Sequence, residues 1–375
     1  MAWSVQGQPS MSDLSPPKTP PFCPASDCPF HTCSRGWRFV RTGFFTRQRP
    51  PWRVQRYRCC HCRRNFSDQT FRTSYWLRRP DLLVTVFRSL LGCSGFRQIA
   101  RELDVSPSTI ATQAARLGRH CLLFHELHRP RGPLREPLVL DGFISFEYSQ
   151  YHPTAFHLAV GADSHFLYGF TDSELRRSGR MSGRQRRRRA QLEARLGRPD
   201  PRSTEHEVTT LLGIVAAAPQ SLELRSDDHR DYPRALARLP QLTVHHQVTS
   251  SRLPRTPLNP LFSVNLLDLL IRHSSSNHKR ETLAFSKRRQ SAAERLAVLM
   301  VWRNHIKWVS ERYHQDTPAM RLGLDERPYT AREVLRKRLF HARCDLPQRW
   351  ARYYWKDITS REIPHPTRHR LRYAA

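Results

Sequence analysis

Acidic residues are scarce in this chain. Only 32 Asp and Glu stand against 63 Lys and Arg in 375 residues, giving a formal net charge of +31 and a sequence pI of about 11.0. Such a deficit argues against an ordinary cytosolic metabolic enzyme. It predicts a polyanionic partner, most simply DNA or RNA. Long apolar runs are missing too: none approaches the roughly 18 residues that span a bilayer, so no membrane partner is expected. The opening MAWSVQGQPSMSDLSPPKTPP lacks a charged stretch followed by an apolar one, which excludes a secretory leader. Its Ser/Pro/Gln-rich composition predicts disorder over residues 1–20. Cysteine is rare beyond the N-terminal part. Cys23, Cys28, Cys33, Cys59, Cys60 and Cys62 crowd together, and only Cys93, Cys121 and Cys344 follow. Without an export signal, clustered cysteines suggest metal before disulfides.

What is present begins with that cluster. CPASDC puts Cys23 and Cys28 on one loop, and RYRCCHC puts Cys59 and Cys62 on another. Thiolates paired on two turns can close a tetrahedral Zn²⁺ site. The aromatic and basic residues between them, including Trp37, Phe39, Phe44, Phe45, Trp52 and Tyr57, suit short strands. The expectation is a zinc ribbon over residues 21–70, with Cys23, Cys28, Cys59 and Cys62 as ligands and His31, Cys33, Cys60 and His61 as rivals. Four protein ligands leave no open position, so this zinc is structural.

GFRQIARELDVSPSTIATQAARL, residues 95–117, reads as two helices around a short turn. Ile99, Ala100 and Leu103 recur at helical spacing, Ser106 is a good N-cap, and Pro107 occupies the first helical position. This is the helix-turn-helix pattern, expected within residues 75–125, whose second helix enters a major groove. Ser108, Thr109, Thr112 and Gln113 are expected on its exposed face, with Arg116 and Arg119 reaching phosphate.

From residue 135 to 310 the pattern is mixed α/β. In LREPLVLDGFISFEY an acid, Asp141, interrupts a β-branched and aromatic run that reads as a central strand. A carboxylate there loses hydration and needs compensation. TAFHLAVGADSHFLYGFTD supplies two more strands. EHEVTTLLGIVAAA reads as a helix, SLELRSDD as a strand ending in acids, and QLTVHHQVTS as another strand. Parallel pairing of the Asp141 and Asp227 strands would bring two carboxylates together, an arrangement that a divalent cation relieves. Hard oxygen ligands suit Mg²⁺ or Mn²⁺, which support phosphodiester chemistry. A third acid is expected from SVNLLDLLIRHSSSNHKRETLAFSKRRQSAAERL: Asp268, with Asn265 on the same helical face, or else Glu281 or Glu294. Glu147 and Asp163 read as surface or turn residues.

The ordered set resembles insertion-sequence transposases of the DDE class. RYRCCHCRRNFSD is similar to the end of their ribbon, RQIARELDVSPSTI to their helix-turn-helix, LVLDGF to their first-acid strand and RSDDHRDY to their second-acid motif. VNLLD is similar to the third-acid motif, in which Asn precedes the acid by three. The likeness covers roughly residues 23–310. It implies a ribonuclease-H-like catalytic domain in a multidomain chain, with Asp141, Asp227 and Asp268 as catalytic Mg²⁺ ligands. It also implies double-stranded DNA partners (element ends and target), self-association on DNA, and a bacterial, nucleoid-associated place in the cytoplasm. The family usually has Glu where this chain has Asp268, an arm one methylene shorter. That difference keeps two other functions in play: a DNA-binding regulator with an inactive centre, and a host nuclease or resolvase.

Two basic regions remain. RRSGRMSGRQRRRRAQLEARLGRPDPR, within an insertion over 174–204, carries Arg184, Arg186 and Arg187 on one expected helix, suited to tracking phosphates. Residues 311–375 read as a basic helical tail. Its tryptophans and tyrosines suit either stacking on bases or a late core.

Overall fold

The structure is a computed structural model of the chain, and it describes residues 19–48, 50–216, 219–279 and 281–363. The disorder expected for residues 1–20 therefore lies almost wholly outside the described residues, as does the end of the basic tail. The chain divides into two compact units. In the described residues, the first runs to Val84 and takes in Thr330–Asp345. The second covers Thr85–Tyr329 and resumes at Leu346.

The first unit is built on a three-stranded antiparallel sheet of β1 (Phe39–Thr46), β2 (Arg53–Cys59) and β3 (Asn65–Ser67), in that order. The sheet is too small to make a core by itself. Its apolar centre is instead Tyr57, Phe66 and Phe71 gathered around Cys23, Cys28 and Cys59, with Phe340 supplied from the far end of the sequence. The rings meet edge to face, Phe22 against Phe71 at 5.5 Å and against Phe340 at 5.3 Å. Such aromatic pairs add about 0.5–1.5 kcal/mol each beyond their buried area.

The second unit opens with α1 (Leu83–Leu91, which begins just before the boundary), α2 (Phe96–Glu102) and α3 (Pro107–His128). A five-stranded mixed sheet follows: β4 (Leu138–Phe146), β5 (Pro153–Gly161), β6 (Leu167–Glu174), β7 (Gln220–Asp227) and β8 (Leu242–Thr249). Its order is β6-β5-β4-β7-β8. The first three strands form an antiparallel meander, and β7 and β8 then add parallel to β4. The helices are α4 (Gly183–Leu196) and α5 (Ser203–Val215) between β6 and β7, α6 (Asp231–Leu236) between β7 and β8, then α7 (Phe262–Ser274) and α8 (Arg289–His305). Two single turns, α9 (Pro318–Arg321) and α10 (Ala331–Val334, in the first unit), precede α11 (Gln348–Trp355). No helix among the described residues is long and apolar enough to cross a membrane.

The sheet is covered on both faces. Val208, Leu211, Leu212 and Val215 recur at helical spacing along α5 and pack on Leu138, Leu140, Leu222 and Leu224. Each such side chain contributes roughly 1.5–3 kcal/mol on burial. The other face receives α7, which packs on β4 and β5.

The edge strand β6 has its outward backbone groups taken by side chains. Asn304 bonds both the amide and the carbonyl of Leu167 at 2.9 Å. His125 meets the Tyr168 carbonyl at 2.9 Å, the Trp350 indole donates to Phe170 O at 3.0 Å, and Arg349 donates to Asp172 O at 2.7 Å. Trp350 can lie this close because residue 169 is glycine; a Cβ there would stand 2.7 Å from the indole ring.

A buried ionic cluster ties the C-terminal segment to this edge. Asp172 accepts from Arg349 at 2.8 Å and from Tyr353, and Arg289 reaches it at 3.1 Å. Glu147, expected at the surface, is buried here. It accepts from the Arg289 amide at 3.2 Å, Ser360 Oγ at 2.8 Å and the Arg361 amide at 3.1 Å. Trp350 and Tyr353 are fully buried, so they belong to the core and cannot stack on bases.

Candidate active site and metal centre

In the first unit, Cys23, Cys28, Cys59 and Cys62 form the one cysteine, histidine or carboxylate group among the described residues whose ligand atoms all lie within 4.8 Å of one another. Cys23 Sγ and Cys62 Sγ are 3.6 Å apart. A tetrahedral zinc with 2.3 Å bonds needs sulfurs about 3.8 Å apart. The four cysteines can therefore hold a structural zinc. Two turns preorganise them: the Cys28 amide donates to Ala25 O at 3.0 Å, and the Arg63 amide to Cys59 O at 3.1 Å, with Arg63 in the left-handed region at φ 59°. Burial works to raise the Cys59 thiol. Hydrogen bonds from the Trp37 indole (3.3 Å) and the Cys62 and His61 amides outweigh it and lower the thiol to about 7. The rivals are placed otherwise. Cys33 and Cys60 are exposed, His31 turns its Nδ1 to the Cys23 carbonyl at 2.8 Å, and His61 packs against Phe30.

In the second unit, β4 and β7 pair in parallel with Leu138 opposite Leu224, Val139 opposite Arg225 and Leu140 opposite Ser226. One step further along each strand stand Asp141 and Asp227. Parallel register puts these two side chains on the same face of neighbouring strands, which lie about 4.8 Å apart. That face also carries α7, and so Asp268. Burial raises the Asp141 carboxyl to about 6, with the Gly142 amide (2.6 Å) and Arg255 pulling it down and the charges of Asp227 and Asp268 pushing it up. The three acids thus form one electrostatic cluster, and Arg255, unremarked in the sequence, is a cation beside it.

The acids differ in what they already hold. Asp227 Oδ1 accepts the His229 amide at 3.1 Å, which shapes the turn after β7, whereas its neighbour Asp228 is exposed. Asp268 Oδ2 is 3.1 Å from Arg272 Nε, four residues on, while its buried Oδ1 has no hydrogen-bond partner. Tyr232, on α6, has its phenol pushed well above the usual range by burial and by the charges of Asp141, Asp227 and Asp231. Asn265 is buried. The donor set, three carboxylates with one orphaned buried oxygen, suits a hard divalent cation. The oxygens are spread wider than the thiols. They do not all fall within 4.8 Å of one another, whereas two oxygens on one Mg²⁺ are at most about 4.2 Å apart, so all three would reach a single ion directly only after a side chain moves or through a bridging water.

The alternative third acids lie elsewhere. Glu294 is buried on α8 among Gln290, Arg119 and Lys356, and its carboxyl is raised by burial. Residue 118 must be glycine for α3 to meet α8 there, because a Cβ would stand 2.7 Å from Glu294 Cα. Glu281 is exposed outside regular structure.

The expected DNA-facing residues divide. Ser106 caps α3 through the Ser108 amide at 3.3 Å, and Ser108 and Thr112 are exposed with Thr109 half-buried. Gln113, expected on the exposed face, is 1% exposed, and Arg116, expected to reach phosphate, is 8% exposed. Arg119 is buried near Glu294. The reason is length: α3 runs 22 residues, and its second half packs against α8 and α11. Arg184, Arg186 and Arg187 are exposed on α4, which turns Leu192 inward.

No protein-family model matches the chain, and a search of curated proteins finds no significant relative. One solved structure that overlaps it is the simian T-cell lymphotropic virus intasome in complex with PP2A regulatory subunit B56 gamma. The overlap has 14% identity over 66% of this chain and 74% of that one, at a TM-score of 0.24, too shallow to support an argument.

Proposed function

We propose that the chain is a DDE-type DNA transposase whose second unit is a ribonuclease-H-like catalytic domain with Asp141, Asp227 and Asp268 as its metal-binding acids. The observation that carries this reading is the meeting of three acids distant in sequence on one sheet face, where the charges of Asp227 and Asp268 both act on Asp141. Two carboxylates on adjacent parallel strands are electrostatically costly, and a bound cation is the simplest compensation. The strand order, an antiparallel meander extended by two parallel strands beside β4, is compatible with the proposed domain.

A divalent ion held there would supply charge neutralisation and activation of the attacking oxygen for phosphodiester cleavage. Asp141 and Asp227 hold one side of the site from rigid strands, and Asp268 closes the other from α7. Arg255 offers positive charge to an incoming phosphate. The exposed start of α3 (Ser108, Thr109, Thr112) and the arginines of α4 (Arg184, Arg186, Arg187) contact DNA, and the zinc-bound first unit helps bind element ends. The partner is double-stranded DNA, with self-association on it.

The test is Mn²⁺-dependent cleavage and strand joining on DNA carrying the flanking ends, comparing the chain with Asp227→Asn and Asp268→Asn. Loss of joined product in both variants is expected. If the unaltered chain binds the ends yet neither cuts nor joins with any divalent metal, the transposase reading fails. The leading reading is then a DNA-binding regulator, which the Asp268–Arg272 pair favours because it engages the third acid. Cleavage without joining would indicate a nuclease.

A further inference from the structure

We infer that a cavity at the amino-terminal end of α7 is a phosphate-binding subsite, and that the phosphate it takes belongs to a nucleic-acid strand extending from the acid cluster. The second half of this inference rests on the proposed function; the first does not.

The cavity, about 380 Å³, is bordered by His165 in the β5–β6 turn, Arg225 on β7, Gln247 on β8, and Phe262 and Ser263 in the first turn of α7. It lies on the α7 side of the sheet, because Arg225 precedes Asp227 by two residues on the same strand face. Helix α7 has 13 residues, so the positive end of its dipole opens here. The Phe262 amide is used by Asn259 O at 2.9 Å and the Asn265 amide by Leu261 O at 3.0 Å. The Ser263 and Val264 amides between them find no acceptor among the described residues. Ser263 is 4% exposed, and its buried hydroxyl has no hydrogen-bond partner. A buried hydroxyl left in that state costs free energy that an acceptor would recover.

The surroundings favour an anion over a cation. No carboxylate lines the cavity. Arg225 gives Nε and Nη2 to Glu223, leaving Nη1 over. His165 has an unpartnered buried Nδ1, and its imidazole is lowered to about 4 by burial and by Arg303 and Arg321, against the weaker pull of Glu136 and Asp316. The two amides, the Ser263 hydroxyl and Arg225 Nη1 are donors where acceptors are few, and His165, neutral at pH 7, adds no charge; that donor set selects a phosphate. Phe262 and Asp268 are six residues apart on one helix, about 9 Å along its axis. That is roughly two to three nucleotides at a 3.4 Å rise. A strand whose reactive phosphate sits at the acids would thus place a later phosphate in this cavity.

The test uses the full chain. Inorganic phosphate is titrated at constant ionic strength while the Ser263 and Val264 amide resonances are followed. Saturable downfield shifts of both are expected in the unaltered protein and none in Ser263→Asp, whose carboxylate would fill the place. Unchanged thermal melting by circular dichroism shows that the variant folds, and Arg225→Gln, expected to weaken phosphate binding at least fivefold, serves if it does not. The second arm measures duplex-DNA affinity against salt. Both variants should bind more weakly, with the log–log slope reduced by about one, while Mn²⁺ binding read by electron paramagnetic resonance stays unchanged. No amide shift in the unaltered protein overturns the site. Amide shifts combined with unchanged DNA affinity and slope overturn the strand assignment and leave a free-phosphate site. Absence of Mn²⁺ binding in the unaltered protein counts against the proposed function alone.

Discussion

The two candidate metal centres are built on opposite principles. The four cysteines converge until Cys23 and Cys62 are 3.6 Å apart, inside an aromatic shell with little other core. The three acids are set wider, on strands and a helix whose packing is complete without them. Val139 and Leu140 are fully buried beside Asp141, and Leu267 beside Asp268. In the first unit a zinc ion would complete the fold. In the second the fold is complete without an ion, and the proposed cation would relieve the repulsion among the acids. A small unit lacking a large apolar core needs such a staple, whereas a five-stranded sheet covered on both faces does not.

The contrast is sharpest under metal removal. Cys28→Ser, or a strong chelator, should unfold the first unit outright, since structural zinc contributes about 10 kcal/mol or more of apparent folding free energy. The second unit should keep its own melting transition. Zinc content and two-transition calorimetry check this; a single unaltered transition would break the comparison. Next in size, Asp227→Asn should lower metal-dependent cleavage by more than about a hundredfold, beyond the 10–100-fold typical of groups behind the ligands. Its metal-free stability should hold or rise, because a like charge beside Asp141 is gone.

A third effect depends on pH. Asp141 is raised from 3.8 to about 6, so burial and its acidic neighbours penalise the ionised form. Its favourable contribution to stability is complete below about pH 4 and is lost as pH rises through 6, a change of roughly 3 kcal/mol. Mg²⁺ should restore that loss. The Mg²⁺-induced rise in Tm should therefore be present at pH 7.5, nearly absent at pH 5, and removed in Asp141→Asn. The smallest effect is expected from Arg272→Gln. Freeing Asp268 Oδ2 from its 3.1 Å partner should tighten Mn²⁺ binding a fewfold, read by titration, with activity unchanged or slightly higher.

Much of this was legible in the sequence, for a local reason. An acid inside an apolar β-branched run, as at Asp141, and one at the end of another run, as at Asp227, identify strand residues and suggest pairing without any long-range information. The cysteine spacing does the same for the first unit. What escaped depends on partners remote in the chain. Gln113, Arg116 and Arg119 read as a solvated helix face because their composition is polar; only the packing of α8 buries them, and Gly118 was the one local hint of a close approach. Glu147 read as a surface acid because its partners, Arg289, Ser360 and Arg361, lie more than 140 residues away. Phe340 joins the cysteine core across some three hundred residues for the same reason.

The treatment of β6 has a consequence for the chain's solubility. An open strand edge is a template on which a second molecule can add a strand. Here the Phe170 and Asp172 carbonyls are occupied by Trp350 and Arg349, side chains that arrive only when the last part of the chain has been made. A chain ending at residue 345 would keep all three acids and all four cysteines. It would also uncover the Phe170–Asp172 part of this edge and leave the buried Asp172 carboxylate with Arg289 but without Arg349 and Tyr353. Such a molecule would offer copies of itself a strand to add to, so the final helix acts as the stopper on the β6 edge.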